Sequence, residues 1–237
     1  MEHIVKSYDA ELQALKQTLI RMGGLVESQL DKAMTALSSR NSELAKEVIA
    51  NDKELDALDA EVSEQVIQMI AKRQPIADDL RRVISSLRIS ADLERMGDYS
   101  ANVAKRVVAL NQLPAMQPAH SIPRMGQLVQ ANTKRVLDAF VKGDPNLALN
   151  VWESDEEIDE TYTSLFRETL TYMMEDPRNI TPCTHLLFIA KNVERMGDHA
   201  TNVAEEVYFR VTGKKIEGGR PKGDTSSFEV LKDPENK

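Results

Sequence analysis

The 237-residue sequence has little cysteine and no long apolar run, and each shortage excludes a class of protein. Its single cysteine, Cys183, cannot form an internal disulfide, as is typical of a protein from a reducing compartment. No stretch approaches the roughly 18 consecutive apolar residues of a membrane-spanning helix. The N-terminus also lacks the basic start and apolar run of a signal peptide. We therefore predict a cytoplasmic protein.

The sequence also lacks an excess of basic residues and has few aromatic ones. Its 30 Lys and Arg against 38 Asp and Glu give a formal charge of −8, which excludes nucleic acid as the main partner because phosphate binding needs a basic surface. Aromatic residues make up only 5% of the chain, and helix-forming residues such as Ala, Leu, Glu and Lys are abundant. No segment alternates with a period of two, so we predict an all-α fold without strands.

Three sequence blocks occur twice in the same order. The second copy follows the first by 103 residues for the first two blocks and by 100 residues for the third. Three matching blocks in one order indicate a duplicated unit rather than chance. The blocks begin at Arg21, Asp52 and Glu94 in the first copy, and at Arg124, Asp155 and Glu194 in the second.

Each copy divides into three helical segments joined by short connections, so neighbouring helices should be antiparallel. The expected helices span about 4–38, 41–73 and 76–111 in the first copy, and about 121–142, 145–175 and 182–212 in the second. This pattern predicts two tandem pseudo-symmetric three-helix bundles, six helices in all. The expected boundaries are 1–112 for the first bundle, 113–120 for a linker, 121–213 for the second bundle and 214–237 for a mobile tail.

The predicted helix ends contain residues that are typical of helix termini. Asp144-Pro145 and Thr181-Pro182 are each typical of an N-cap followed by proline at the first helical position. Gly213 is typical of a helix C-terminus, because glycine accepts the left-handed backbone conformation there.

Four acidic pairs, each with a spacing of four residues, lie on the second and third helices of the two copies. Residues four apart share a helix face, with about 5–6 Å between Cβ atoms. An isolated acidic pair is usually solvated surface, but these pairs continue apolar stripes such as the one from Leu80 to Ala91, so we predict that they face the core. The pairs are Asp52/Asp56, Glu94/Asp98, Asp155/Asp159 and Glu194/Asp198.

The register of each predicted hairpin brings two pairs together. The pairs centred on residues 54 and 96 are equidistant from Pro75, and those centred on 157 and 196 are equidistant from Asp176-Pro177. Each bundle should therefore hold four carboxylates, which repel unless they bind protons, basic groups or cations. All-oxygen ligands suit hard cations such as magnesium, calcium, manganese or ferric iron. The amides of Asn102 and Asn202, one turn further along, are possible additional ligands.

Several other residues have less specific interpretations. His199 neighbours Asp198 but points about 100° away, which favours a surface or supporting role over ligation. Gly97 and Gly197 suggest close approach by a neighbouring helix or ligand, and Gly23 and Gly126 suggest tight helix packing. Cys183 lies in an apolar run, which favours a buried and inert thiol.

The duplicated Glu-Arg-Met-Gly-Asp-x-x-x-Asn blocks, with an Asp-x-x-x-Asp block ahead of each, closely resemble the PhoU family of phosphate-signalling proteins. The resemblance covers about residues 1–212. It implies a cytoplasmic negative regulator of the phosphate-starvation response, which acts between the ATPase subunit of a phosphate ABC transporter and a membrane sensor histidine kinase. It also implies metal ions, such as iron, manganese or magnesium, at all eight acidic residues. We expect a homodimer that meets the membrane only through its partners.

The residues alone leave two other functions open. Clustered carboxylates can hold metals that activate water, so a metal-dependent hydrolase such as a phosphatase is the alternative. No motif supplies a general base or a nucleophile, and we therefore predict no catalytic residue and no enzyme activity. A metal store ranks last, because two small sites hold little metal.

Overall fold

The structure, a computed structural model, describes residues 2–115 and 121–218, and within these residues it contains helices and their connections but no strand. The predicted all-α class is confirmed. Residues 116–120 of the predicted linker and 219–237 of the predicted tail lie outside the described residues. The helices are α1 (Glu2–Ser39), α2 (Ser42–Arg73), α3 (Ala77–Leu110), α4 (Ile122–Lys142), α5 (Pro145–Glu153), α6 (Glu156–Glu175) and α7 (Ile180–Thr212).

Side-chain caps fix the start of the second helical segment in both copies. The side chain of Asn41 accepts hydrogen bonds from two backbone N–H groups at the start of α2. The side chain of Asp144, 103 residues later, does the same at the start of α5, as Asp144-Pro145 predicts. Gly213 ends α7 with φ at 74°, also as expected. The cap predicted at Thr181 is wrong, because a short 3-10 turn over Pro177–Asn179 runs directly into α7.

The helix predicted over 145–175 is interrupted, so that the second segment of the second bundle consists of α5 and α6. The break lies at Ser154 and Asp155. The hydroxyl of Ser154 donates to the backbone carbonyl of Val151 at 2.9 Å, and such a local side-chain bond competes with the helical ladder. The corresponding part of the first bundle lies within the continuous helix α2.

Contacts along the helices confirm that sequential neighbours are antiparallel. Arg21 near the middle of α1 pairs with Glu54 of α2, whereas Lys32, later in α1, pairs with Glu47, earlier in α2. In the second bundle, Trp152 of α5 bonds to Glu205 near the end of α7, and Lys191 near its start lies over the ring of Tyr162 in α6. These pairs have the register that the hairpin turns predict.

The two bundles join mainly through α3 and α7, which form the most extensive helix contact in the structure. The two helices are antiparallel, because Arg88 pairs with Glu206 at 2.8 Å and Arg106 lies over the ring of Phe188 at 4.0 Å. A pseudo-two-fold axis therefore relates each residue of α3 to the residue of α7 that lies 100 positions later in the sequence. One apolar core runs through both bundles and includes buried side chains from all seven helices. No described helix is long and apolar enough to span a membrane.

The second inter-bundle contact, between α1 and α4, depends on two glycines at the same position in the two copies. A Cβ at Gly23 would lie 2.5 Å from Cδ2 of Leu137, and a Cβ at Gly126 would lie 2.6 Å from Cγ of Met34. Each glycine thus lets a large side chain of the other helix approach the backbone. Tight helix packing accounts for both positions.

We predict opposite effects on stability for the adjacent substitutions Gly23→Ala and Gly24→Ala. At Gly23 the new methyl group overlaps Leu137 at a cost of about 1–3 kcal/mol, which should outweigh the gain of about 0.5–1 kcal/mol in helix propensity and lower the free energy of unfolding. At Gly24 nothing lies within 4 Å of the new methyl group. The better helix propensity of alanine should therefore raise the free energy of unfolding by about 0.5–1 kcal/mol. Urea denaturation of both variants measures the effect, and shifts of the same sign would contradict this packing.

Candidate functional site

The first carboxylate cluster, formed by Asp52, Asp56, Glu94 and Asp98, lies between α2 and α3. The carboxylates are close enough for the charge of one to raise the pKa of another. The pKa of Asp52 is raised first by burial and then by the charges of Asp98 and Asp56. Burial and then the charge of Asp98 likewise raises the pKa of Glu94. Gly97 allows the close approach, because a Cβ there would lie 3.5 Å from Oδ1 of Asp52 and against the side chain of Leu55. The predicted register of this hairpin is therefore observed.

The second carboxylate cluster, formed by Asp155, Asp159, Glu194 and Asp198, is buried between α6 and α7. The first three residues are exposed by 1%, 3% and 5%. Burial raises the pKa of Glu194 to about 7; the nearby charges of Asp198 and Asp159 act in the same direction, while the hydrogen bond from Lys191 opposes the shift. A Cβ at Gly197 would lie 3.5 Å from Oδ1 of Asp155, which repeats the contact at Gly97.

The two clusters differ in their exposure to water. In the first cluster, Asp56 and Asp98 are exposed and the other two residues are half-buried. The expectation that all four pairs face the core is thus wrong for this cluster. The stripe that begins at Leu80 is partly solvated, and Leu80 itself is 39% exposed. The core face of α3 runs instead through residues such as Val83, Leu93 and Met96, so Glu94 lies at its edge.

Local contacts explain the deeper burial of the second cluster. Asp155 lies in the break between α5 and α6, and the hydroxyl of Thr201 donates to its Oδ1 at 3.2 Å. Lys191 donates to Oε1 of Glu194 at 2.9 Å, whereas Oε2 of Glu194 is buried with no hydrogen-bond partner. The first copy has alanine at both corresponding positions, 91 and 101.

The sequence reasoning missed a buried polar residue on the first helix of each copy, which lies beside the cluster in the first copy and beside the α5–α6 break in the second. Gln29 is 3% exposed and neither polar atom of its amide has a partner. Its Oε1 lies 3.3 Å from the Cβ position of Gly97, beside Asp52. Asn132 occupies the same position in the second copy, and its Oδ1 lies 3.1 Å from the hydroxyl oxygen of Ser154, the residue before Asp155. The sequence contained a signal for this pair, because Gln29 and Asn132 are 103 residues apart, as are the repeated blocks that begin at Arg21 and Arg124.

The amides proposed as extra ligands and the histidine beside Asp198 make other contacts. Oδ1 of Asn102 accepts from Nζ of Lys105 at 3.2 Å, and Nδ2 of Asn202 donates to Asp92 at 3.2 Å. His199 is not on the surface: its Nδ1 lies 2.7 Å from Asp92 Oδ1 at the α3–α7 interface. Cys183 is fully buried, and burial raises the pKa of its thiol, as expected for an inert cysteine.

The donor set of both clusters fits a hard cation in its chemistry. Each offers four carboxylates, with an unpartnered buried polar atom at Gln29 in the first and at Glu194 in the second. As the side chains stand, however, no group of three or more His, Cys, Asp or Glu in the described parts of the chain is arranged to hold a metal ion. The carboxylates must therefore turn toward a common centre to coordinate one.

Fold and site together define a class of protein: a duplicated three-helix domain with a carboxylate cluster between the second and third helices of each copy. The PhoU domain model matches the chain twice, over residues 19–107 and 122–207. The chain belongs to the PhoU family.

Individual relatives match nearly the whole chain. A protein of Caulobacter vibrioides named "Phosphate-specific transport system accessory protein PhoU homolog" is 49% identical over 227 residues, which cover 95% of this chain and 99% of that protein. A homologue with the same name from Rhizobium meliloti is also 49% identical over 227 residues, with 95% of each chain covered.

Two crystal structures share the fold. PhoU from Pseudomonas aeruginosa has a TM-score of 0.85 and 38% identity, over 87% of this chain and all of that chain. The phosphate transport system regulatory protein PhoU from Streptococcus pneumoniae has a TM-score of 0.81 and 31% identity, over 89% and 99%. The names of these relatives are those of accessory and regulatory proteins, which confirms the prediction that the chain is not an enzyme.

We predict that Glu194 makes the metal-free protein less stable as the pH rises. In chelator, the folded state keeps a proton on Glu194 up to about pH 7, whereas the unfolded chain releases it near 4.5. The free energy of unfolding should therefore fall between these pH values, by a few kcal/mol. In Glu194→Gln this contribution disappears, while the control Glu168→Gln, an exposed change on α6, keeps the wild-type profile. Urea melts from pH 4.5 to 8 measure both, and identical profiles would refute the assignment.

Proposed function

We propose that this chain is a cytoplasmic negative regulator of the phosphate-starvation response. The observation that carries the proposal is the family match over both bundles, together with relatives named as accessory to the phosphate-specific transport system over 95% of the chain. A helical, non-catalytic protein of this kind acts through the surfaces that it presents to other proteins.

The proposed partners are the cytoplasmic ATPase subunit of a phosphate ABC transporter and the cytoplasmic part of a sensor histidine kinase. Contact with both is what allows one protein to report transport activity to a kinase. The long helices support such a role, because they present extended and mostly polar outer faces. We also propose that the chain forms a homodimer and reaches the membrane only through its partners.

The metal part of the proposal concerns the two carboxylate clusters. Asp52, Asp56, Glu94 and Asp98 would hold a cation in the first bundle, and Asp155, Asp159, Glu194 and Asp198 would hold one in the second. A bound iron, manganese or magnesium ion supplies positive charge that offsets the repulsion between the carboxylates. The chain's own contribution is to bring two helices together at Gly97 and Gly197, so that the acidic faces are held close.

We predict that deletion of the gene leaves the phosphate-starvation response active in high phosphate. The kinase then lacks the protein that transmits repression from the transporter. A phosphate-regulated promoter fused to a reporter measures the response, and a plasmid copy of the wild-type chain should restore repression. A reporter that stays silent in the deletion strain would contradict the proposed regulation. Failure of the tagged chain to retain the transporter ATPase in a pull-down would contradict that partner.

We predict that a metal ion stabilises the protein through the carboxylate clusters. Manganese at a hundredfold above its dissociation constant should raise the free energy of unfolding by roughly 2.7 kcal/mol. Asp98→Asn should be no less stable than wild type in chelator, because it relieves repulsion in the first cluster, and should gain much less from manganese.

The matched control for this metal experiment is Asp31→Asn, at an exposed position of α1 outside both clusters. Its gain in stability from manganese should equal that of the wild type, since surface substitutions change stability by about 0.5 kcal/mol or less. Thermal melts with chelator and with added manganese, magnesium or iron measure the gains. Equal gains in all three proteins would remove the support for metal at the first cluster.

A further inference from the structure

The antiparallel contact of α3 and α7 creates two grooves, which the pseudo-two-fold axis relates to each other. The first groove lies between the C-terminal half of α3 and the N-terminal half of α7. The second groove lies between the other two halves. Because the third block repeats with a spacing of 100, each residue of one groove has a counterpart in the other. The two grooves began as equivalent surfaces, so differences between them show what each has acquired or lost.

The second groove is closed by its own polar contacts. Arg88 pairs with Glu206 at 2.8 Å across the groove. Oδ1 of Asp92 lies 2.7 Å from Nδ1 of His199 and accepts a hydrogen bond from Nδ2 of Asn202 at 3.2 Å. The charges that face this groove are therefore matched internally, and an outside ligand would have to break these contacts to enter.

The first groove is open, and it carries basic side chains at positions where the second groove carries acidic ones. It forms a cleft of about 440 Å³ with no carboxylate in its lining. Lys105 and Arg106 stand where the second groove has glutamates, and Asn192 stands where it has Asp92. The polar and aromatic lining comprises Asn102, Lys105, Arg106, His185, Phe188 and Asn192.

Neither cation of the first groove forms a salt bridge with a carboxylate among the described residues, although the charge of Lys105 acts on Asp52 of the first cluster and opposes the rise in its pKa. Nζ of Lys105 contacts only the amide oxygen of Asn102, at 3.2 Å. Nη1 of Arg106 lies 3.4 Å from Nδ1 of His185, which must be the acceptor because a guanidinium only donates. Most of the five N–H groups of Arg106 thus remain available to an anion. Burial and the neighbouring Arg106 lower the pKa of His185, so the imidazole is neutral and leaves the positive charge to its neighbours.

An exposed aromatic ring distinguishes this cleft from a plain anion site. Phe188 is 48% exposed, and the guanidinium of Arg106 lies 4.0 Å from its ring centroid. The guanidinium covers one face of the ring, so a nucleic-acid base would stack on the remaining exposed surface of Phe188, and stacking of this kind tolerates any base. The planar guanidinium fork and the lysine suit phosphate oxygens, while the amides of Asn102 and Asn192 suit the donor and acceptor edge of a base. The volume falls in the range of small-ligand sites, roughly 300–1,000 Å³.

We propose that the first groove binds a nucleotide, with the phosphates on Lys105 and Arg106 and the base against Phe188. The proposal does not depend on the metal and partner roles proposed above, although the groove adjoins the first cluster through Asn102 and Lys105. The groove is formed by the contact between the two bundles, so a change in their relative position would change its shape. Nucleotide binding also explains why the charge of this groove was reversed relative to its counterpart.

The test is a calorimetric titration of the full chain with ATP, AMP and inorganic phosphate, in chelator so that no metal ion can link a phosphate to the carboxylate clusters. Wild type should bind ATP more tightly than inorganic phosphate. Arg106→Gln and Lys105→Gln should each weaken ATP binding at least tenfold, because each removes a charge from the phosphate site. Phe188→Leu should weaken ATP and AMP binding but leave the binding of inorganic phosphate unchanged, because it removes only the stacking surface.

The matched control is Arg88→Gln, which removes an arginine of the same helix from the second groove and should leave ATP affinity unchanged. Thermal melts of every variant check that the bundles remain folded. No ATP binding by wild type at millimolar concentration would overturn the proposal, as would equal losses in Arg88→Gln and Arg106→Gln. Displacement of ATP by a short polyglutamate peptide at lower concentration than by AMP would also overturn it, since the groove would then be a protein-docking surface.

Discussion

The antiparallel packing of α3 against α7 is the contact on which the rest of the structure depends. These two helices contribute to the cores of their own bundles, carry half of each carboxylate cluster and form the larger of the two inter-bundle contacts. Small side chains at the crossing allow this, for example Ser100, whose hydroxyl lies 3.6 Å from the sulfur of Met196. Because the interface and the clusters share the same two helices, a change in the angle of α3 or α7 alters a cluster and a groove together.

Duplication preserved the backbone of this protein and let its chemistry diverge. At both Gly97 and Gly197, a Cβ would lie 3.5 Å from an aspartate Oδ1, so the two glycines allow the same close approach. Around that shared backbone, one cluster is open to water and the other is buried. The grooves also differ, since one is closed by its own ion pair and the other carries two cations that form no salt bridge among the described residues. Such divergence costs little stability, because polar surface positions tolerate substitution while the apolar core fixes the fold.

The sequence predicted the helix boundaries and the hairpin register well, because periodicity, caps and repeated blocks report directly on backbone geometry. It predicted the depth of burial poorly. The stripe through Leu80 follows one edge of α3, and periodicity alone does not identify which of two adjacent stripes meets the neighbouring helices. The break at Ser154 depends on a side-chain bond to the preceding turn, and the polar role of Gln29 depends on the approach of α3. The second is a tertiary effect that no local pattern encodes, whereas the first is a local bond of a kind that serine also forms inside the uninterrupted helices of this protein, for example at Ser86 and Ser100.

The unequal burial of the clusters has an electrostatic consequence for any cation that approaches them. In the second cluster Lys191 already donates to Glu194, so an incoming cation must compete with an ammonium group and with a proton held at nearly neutral pH. The first cluster has alanine in place of that lysine, and its exposed Asp56 and Asp98 keep much of their hydration. A cation there meets less competition, but it also gains less from each carboxylate because water screens the attraction. The two proposed cation sites would therefore differ in strength despite identical ligand types on one duplicated backbone, and the difference would originate in residues outside the acidic motifs.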